Sequence, residues 1–456
     1  MRISATNVSG LPTEVARPGY NWGTRGIGIV HFGIGAFHRA HMAAYTDDAM
    51  AAEDGDWRIL GVSLRSSSVR AQMAPQNGLY TLVERSAAAS RTRIIGSVAD
   101  VIVAHEERAR LIDTLAAPTT HIVSFTITEK GYCRAPDGAL DMQLADDRSA
   151  YSYLAEAFAR RAAAGSPGLT LLSCDNLSGN GAQLQRLMTE YLAHHSPDLV
   201  EWFSAYCSCP STMVDRIVPA TTDADRAEIE GLIMMRDEAA VVTEPFSQWV
   251  IEDKFAGPRP SWEKHGAQIT VDVHAFENAK LRMLNGAHSA LAYLGLKHGY
   301  EFVHQAIADP DLAGLMDRLM RQEAATSLTP VAGQNLSAYA DDLIGRFANP
   351  ALNHRLAQIA MDGSQKIPQR WLETLAFHQQ SAQTCPSILT ALGAWLCHIR
   401  GDNGVVDDPM AEKLKSIWEE TGLEGIVSAL FGTNGPMASG WKPTSADEAI
   451  ILDSLN

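Results

Sequence analysis

Gly26-Ile27-Gly28-Ile29-Val30-His31-Phe32-Gly33-Ile34-Gly35-Ala36-Phe37-His38-Arg39-Ala40-His41 is the stretch on which the fold turns. Its first half is a short apolar run rich in β-branched residues, the pattern of a strand buried on both faces. The run ends at Gly33 and Gly35, one residue apart, before a segment with helical character. A strand that turns through glycines into a helix lets backbone N–H groups approach a pyrophosphate at the helix start. The stretch therefore predicts a Rossmann-type opening, with Gly33, Gly35, Ala36, Phe37 and Arg39 against a dinucleotide. His38 stands where the third glycine of G-x-G-x-x-G is expected, and G-x-G after a strand also describes an ordinary tight turn.

The chain downstream keeps to an α/β plan. A second strand is expected over Trp57–Leu64, and it runs into Arg65-Ser66-Ser67-Ser68-Val69-Arg70. An NAD-preferring site carries an Asp or Glu near this point for the ribose hydroxyls. Serines Ser67 and Ser68 here remove the repulsion that a ribose 2′-phosphate would meet, and Arg65 or Arg70 can pair with such a group. A solvated serine loop that accepts NAD is the competing reading, so the cofactor is NAD or NADP.

His121–Thr128 and Leu169–Cys174 read as further buried strands, the second ending at Asp175-Asn176. Ligands in open α/β sheets sit beyond the carboxyl ends of strands, where Asn176 falls, although Asp-Asn before glycine is also turn chemistry. Asp215 is a candidate substrate-side residue or half of an ion pair with Arg216. Past Pro258 and Pro260 helical periodicity dominates. The predicted fold is thus α/β, a Rossmann-type domain over residues 1–274 followed by an all-helical domain over residues 275–456. Residues 1–25 read as an irregular lead-in.

The helical part opens on Ala279-Lys280-Leu281-Arg282-Met283-Leu284-Asn285-Gly286-Ala287-His288-Ser289-Ala290-Leu291-Ala292-Tyr293-Leu294. At about 100° per residue, Asn285 falls near 140° and His288 near 80° from Lys280, all on one side of an otherwise apolar helix. Burial disfavours ammonium and makes a lysine a possible general base at neutral pH. Lys280 and His288 lie roughly 12 Å apart along an α-helical axis and so bracket a substrate rather than touch. Spacing alone fits equally a snorkelling lysine, a cap-like Asn-Gly and a satisfied core histidine. Glu277, three residues before Lys280, is placed to shuttle protons to it, or else to serve as a helix N-terminal acid.

Composition bounds the partners. The sequence is 46% hydrophobic and 20% charged, with a formal net charge of −16, and no basic stripe that nucleic acid would need. No apolar run reaches the ~18–20 residues that cross a bilayer, so a cytoplasmic protein acting on a small molecule, as a monomer or small homo-oligomer, is expected. Cys133, Cys174, Cys207, Cys209, Cys385 and Cys397 show no repeated C-x-x-C spacing, which suggests free thiols and no metal site.

The strings K-x-x-x-x-N-x-x-H at Lys280, Asn285 and His288 and G-x-G-x-F-x-R-A-H at Gly33–His41 resemble those of the polyol-specific long-chain dehydrogenases, the mannitol dehydrogenase and fructuronate reductase family. S-C-D-N-x-x-x-N-G at 173–181 and T-x-T-E-x-G-Y at 126–132 are similar to the family's as well. The resemblance spans about residues 17–400. It implies Lys280 as general acid/base, Asn285 and Asn176 as holders of the reacting oxygen, His288 as a substrate-orienting group, and Thr128 and Glu129 near the nicotinamide. Met361-Asp362-Gly363-Ser364-Gln365-Lys366-Ile367-Pro368-Gln369-Arg370 looks like the fructuronate reductase or D-mannonate oxidoreductase branch. A sugar acid needs a charge partner, and Lys366, Arg370 or Arg282 can supply it, unless Lys366 and Arg370 cap a loop or bind cofactor phosphate. The expected activity is interconversion of D-mannonate and D-fructuronate, with a mannitol or hexitol 2-dehydrogenase as the alternative.

Overall fold

Five short runs of β-branched and apolar residues pair side by side in the same direction. The computed structural model describes the chain throughout except Ala88, Asn456 and the side chain of Leu352. Its strands are β1 (Ile27–Phe32), β2 (Arg58–Ser63), β3 (Tyr80–Arg85), β4 (Ser90–Ile95), β5 (Val98–Val103), β6 (Ile122–Phe125), β7 (Thr170–Ser173), β8 (Thr212–Asp215), β9 (Val241–Thr243), β10 (Gln248–Glu252) and β11 (Gln268–Thr270). A parallel sheet has the order β5-β2-β1-β6-β7. Val30, Phe32, Leu60, Val62, Val123 and Phe125 pack toward helices Arg108–Ala116, Ala150–Ala164 and Asn180–His195, while Ile29, Ile59 and Ile122 fill the opposite face. Alternation along each strand thus buries both sides, which explains why the strands read as continuous apolar runs.

Two smaller sheets, β4-β3-β9 and β11-β10-β8, adjoin this layer and were not foreseen as sheets from the sequence. The lead-in is also better packed than its composition suggests. Ile3, Val8, Leu11 and Val15 are buried with Leu79, Val83, Ile94 and Val242 in a cluster of their own.

By Cα proximity the chain divides into two units, Met1–Val273 and His274–Asn456. The second is helical and is built around Gly286–Lys297 and Pro386–Arg400, whose Ala, Leu, Tyr and Trp side chains form one large core. Three of its turns are π-helical, at Lys280–Asn285, Leu319–Ala324 and Pro368–Leu372. The first corrects the regular 100° register expected around Lys280. The Gly286 amide bonds back five residues to the Leu281 carbonyl, which widens the turn and carries Asn285 further round toward the Lys280 side.

Candidate functional site

In the first unit, a cavity of about 800 Å³ opens beyond the carboxyl ends of the parallel strands. Gly33 contributes from the end of β1, Leu64 and Arg65 from the end of β2, and Thr126, Ile127 and Thr128 from the end of β6. Its far wall is the loop segment at Gln143, Leu144, Asp146, Arg148 and Ser149. Its size and position fit the crevice in which open α/β sheets bind ligands.

Gly33 is irreplaceable by geometry. Its φ is +93°, and a Cβ would stand 2.0 Å from the Thr126 carbonyl oxygen. The turn is tied from behind: His31 contacts Ser124 Oγ at 2.8 Å through Nδ1 and Thr126 Oγ1 at 2.9 Å through Nε2. Thr126 Oγ1 in turn donates to the Gly33 carbonyl at 2.6 Å. His38, in place of the third glycine, lies flat on His31 with ring centroids 3.4 Å apart, and both its nitrogens are buried without a hydrogen bond. Burial drives His31 down to about 3, and it drives His38 well below the usual imidazole range. Both rings are therefore neutral at pH 7.

Several expected cofactor residues find other employment. Arg39 is buried and donates to the Ala239 and Gly35 carbonyls, so it braces the glycine turn from the protein side. Arg70 pairs with Glu106 at 2.6 Å and Glu107 at 3.3 Å, which leaves Arg65 as the cavity-lining arginine of this loop. Ser67 precedes the helix Ser68–Met73, and the Ser66 and Ser68 hydroxyls bond each other at 2.9 Å; neither Ser67 nor Ser68 lines the cavity. Phe37 stacks on His41 with centroids 5.0 Å apart, beside Ala36 at the helix start. Glu129 is exposed, and Thr128 and Lys130 on either side of it line the cavity.

Asp175 is a residue that the sequence reading passed over. Its carboxylate accepts from the Ile127 and Thr128 amides, both at 2.9 Å, and from Tyr132 Oη at 2.9 Å. Thr128 holds φ +62°, an uncomfortable value for a β-branched residue, and the two amide bonds hold it there. Asn176 follows Asp175 and is exposed, three residues past the buried end of β7. Asp215 ends β8, paired with Gln248 in the ladder, while the ion pair of its neighbour Arg216 goes to Glu84 at 2.6 Å.

In the second unit Lys280 opens the π-helical turn and is 9% exposed; Asn285 closes it. Glu277 lies in the preceding helix His274–Ala279, with His274 Nδ1 3.4 Å from its Oε2. His288 sits one turn on, its ring 4.7 Å from Phe347 and 5.3 Å from His354, with Nε2 buried and unbonded. Burial first, and then His354, Arg346 and Arg370, hold His288 well below the usual imidazole range, so it is neutral.

The three cations proposed as charge partners are each engaged. Arg282 donates to Ser327 and pairs with Glu373 at 3.0 Å. Lys366 donates to the Met361 carbonyl at 2.5 Å, which caps the loop before it. Arg370 donates to Ser289 Oγ at 2.6 Å and to the Asn285 carbonyl at 3.3 Å. Burial draws Arg370 down to about 10, and burial followed by the Arg370 charge lowers Lys366. Among the described residues no His/Cys/Asp/Glu group is arranged to hold a metal ion, and no helix is long and apolar enough to cross a membrane.

Comparison with known proteins places this geometry. Residues 27–264 match the model of the mannitol dehydrogenase Rossmann domain, and residues 272–432 match that of the mannitol dehydrogenase C-terminal domain. D-mannonate oxidoreductase of Escherichia coli (strain K12) is 39% identical across 96% of this chain and 94% of its own. Mannitol 2-dehydrogenase of Phaeosphaeria nodorum is 36% identical across 95% of this chain and 80% of its own. The structure of Pseudomonas fluorescens mannitol 2-dehydrogenase in a ternary complex with NAD and D-mannitol superposes with a TM-score of 0.81 at 35% identity, covering 100% of this chain and 96% of that one. With both of its domain models matched, and relatives aligned over nearly its full length, the chain belongs to the mannitol dehydrogenase family of oxidoreductases.

Proposed function

We propose that this protein interconverts D-mannonate and D-fructuronate using NAD or NADP, with Lys280 as general acid/base. The observation that carries the substrate reading is the pair Lys366 and Arg370, two half-buried cations, the second lowering the first, whose hydrogen bonds go to the neutral Met361, Asn285 and Ser289 groups while Asp362 lies 3.9 Å from Lys366. A hexonate brings a carboxylate to such a pair, and a hexitol brings none. The long alignment with a D-mannonate oxidoreductase supports the same choice. The D-mannitol held by the solved relative favours a second reading, a hexitol 2-dehydrogenase.

The cleft of the first unit fits a dinucleotide. Gly33 admits no side chain, a Cβ on Gly35 would meet nothing closer than the Gly33 oxygen at 3.8 Å, and no acid follows β2 to repel a 2′-phosphate. A bound nicotinamide would supply the acceptor or donor of the hydride. Lys280, as the free amine, takes the hydroxyl proton during oxidation, and as ammonium returns it during reduction. The Asn285 amide donates to the oxygen on which charge develops. Neutral His288 orients a substrate hydroxyl without adding charge, and Glu277 offers the lysine a proton path.

NADH and NADPH oxidation measured with D-fructuronate and with D-fructose decides between the two substrates. The expected kcat/KM ratio favours fructuronate by roughly 100-fold, about 2.7 kcal/mol. A preference for fructose would leave the hexitol reading. Lys280→Ala should lose most turnover at every pH.

A further inference from the structure

The π-helical turn at Lys280–Asn285 gives way to the α-helix Gly286–Lys297, and the carbonyl groups at that junction are met by side chains from another element. Arg370 Nη1 donates to the Asn285 carbonyl at 3.3 Å and to Ser289 Oγ at 2.6 Å, and Trp371 Nε1 donates to the Gly286 carbonyl at 3.1 Å. Both donors come from Pro368–Leu372, itself π-helical, and Trp371 is fully buried. Two consecutive side chains thus grip two consecutive carbonyls at the point where the widened turn returns to α-helix. We propose that Arg370 and Trp371 are positioning residues that hold this turn open and so set the disposition of Asn285 relative to Lys280.

The alternative to the open turn is a regular α-helix through the same residues. There the Asn285 side chain stands about 140° from Lys280, further round from the oxygen that the lysine serves than the wider turn carries it. Loss of the two donors leaves the wide turn without this bracing and favours the tighter winding that helices ordinarily take. Arg370 is suited to the task, since its guanidinium offers five donors in a fixed fork and only Nη1 is spent on the helix. Trp371 supplies one N–H on a rigid ring whose packing against Tyr293, centroids 6.2 Å apart, fixes its aim.

The proposal rests on reading Lys280 as the base, and the test separates the two. Trp371→Phe keeps an aromatic ring and removes the donor; Arg370→Lys keeps the charge and loses the fork. In the full-length enzyme each should lower kcat at least tenfold and shift the pH profile of kcat, with the dinucleotide KM changed less than twofold. Amide exchange across residues 281–289 should accelerate or redistribute in both variants. Unchanged exchange together with unchanged kcat would overturn the clamp. Altered exchange in the variants, alongside a fully active Lys280→Ala, would fault the assignment of Lys280 and leave the clamp standing. A parallel fall in kcat and rise in dinucleotide KM, with normal exchange across 281–289, would also overturn it.

Discussion

Gly33 and Gly35 look alike in the sequence and carry different physical burdens. At Gly33 the backbone is left-handed and a Cβ would collide with the Thr126 carbonyl, so Gly33→Ala must displace the end of β6 or distort the turn. At Gly35 the nearest heavy atom to a new Cβ is the Gly33 oxygen at 3.8 Å. Gly35→Ala is therefore expected to melt within a few degrees of wild type and to bind dinucleotide more weakly, whereas Gly33→Ala should lose both stability and binding. Thermal unfolding beside a dinucleotide titration reads both, and equal effects at the two positions would count against this division. Glycines of this kind are legible in a sequence because their reason is local. Arg70 and Arg282 were not, since the carboxylates that engage them, Glu106 and Glu373, lie 36 and 91 residues away. Residue type and spacing disclose a cation but not which acid the fold brings to it.

At the scale of elements, periodicity located four strands of the parallel sheet, β1, β2, β6 and β7, and the long helices, because burial on one or both faces writes itself into the order of apolar residues. It missed β5 and the small sheets; β3 and β4 are as long as β1, but Glu84, Arg85, Ser90, Arg91 and Arg93 break up their apolar character. It also missed the π-helical turn, because Leu281, Met283 and Leu284 are apolar in either winding and their order does not tell one from the other. Gly286 lies just past that turn with φ −63° and ψ −50°, and a Cβ there would meet the Arg370 carbonyl and Trp371 Nε1 no closer than 3.5 Å. Alanine fits both the dihedrals and the space, so Gly286→Ala should stabilise the helix by about 0.5–1 kcal/mol and raise its melting temperature by a few degrees. A fall in melting temperature would show that the clamp needs the closer approach that glycine permits.

Over the whole molecule, the buried titratable groups set how stability responds to acid. His31 is held down to about 3, and His38 and His288 well below the imidazole range, each chiefly by burial. A histidine depressed in the folded state is protonated first in the unfolded chain. Its contribution is full above about pH 6.5 and drains away as the pH falls toward the folded value, at up to about 1.4 kcal/mol per pH unit. Asp47 acts in the opposite sense: burial raises it to about 6, so the folded state gains a proton first and stability rises below that pH. One such carboxyl offsets one histidine, and Asp237, Asp175 and Glu323 are raised in the same direction. Those three also accept hydrogen bonds that limit their rise. Between pH 7 and 5 the histidines should therefore prevail, and urea midpoints measured at pH 7, 6 and 5 are expected to fall steadily. His38 makes no hydrogen bond and serves by stacking on His31, so His38→Phe keeps the contact and removes one titrating site. That variant should show a visibly shallower decline over the same range. A midpoint that rises on acidification in the wild type would mean that the buried carboxyls, rather than the stacked histidines beneath the glycine turn, govern the acid response.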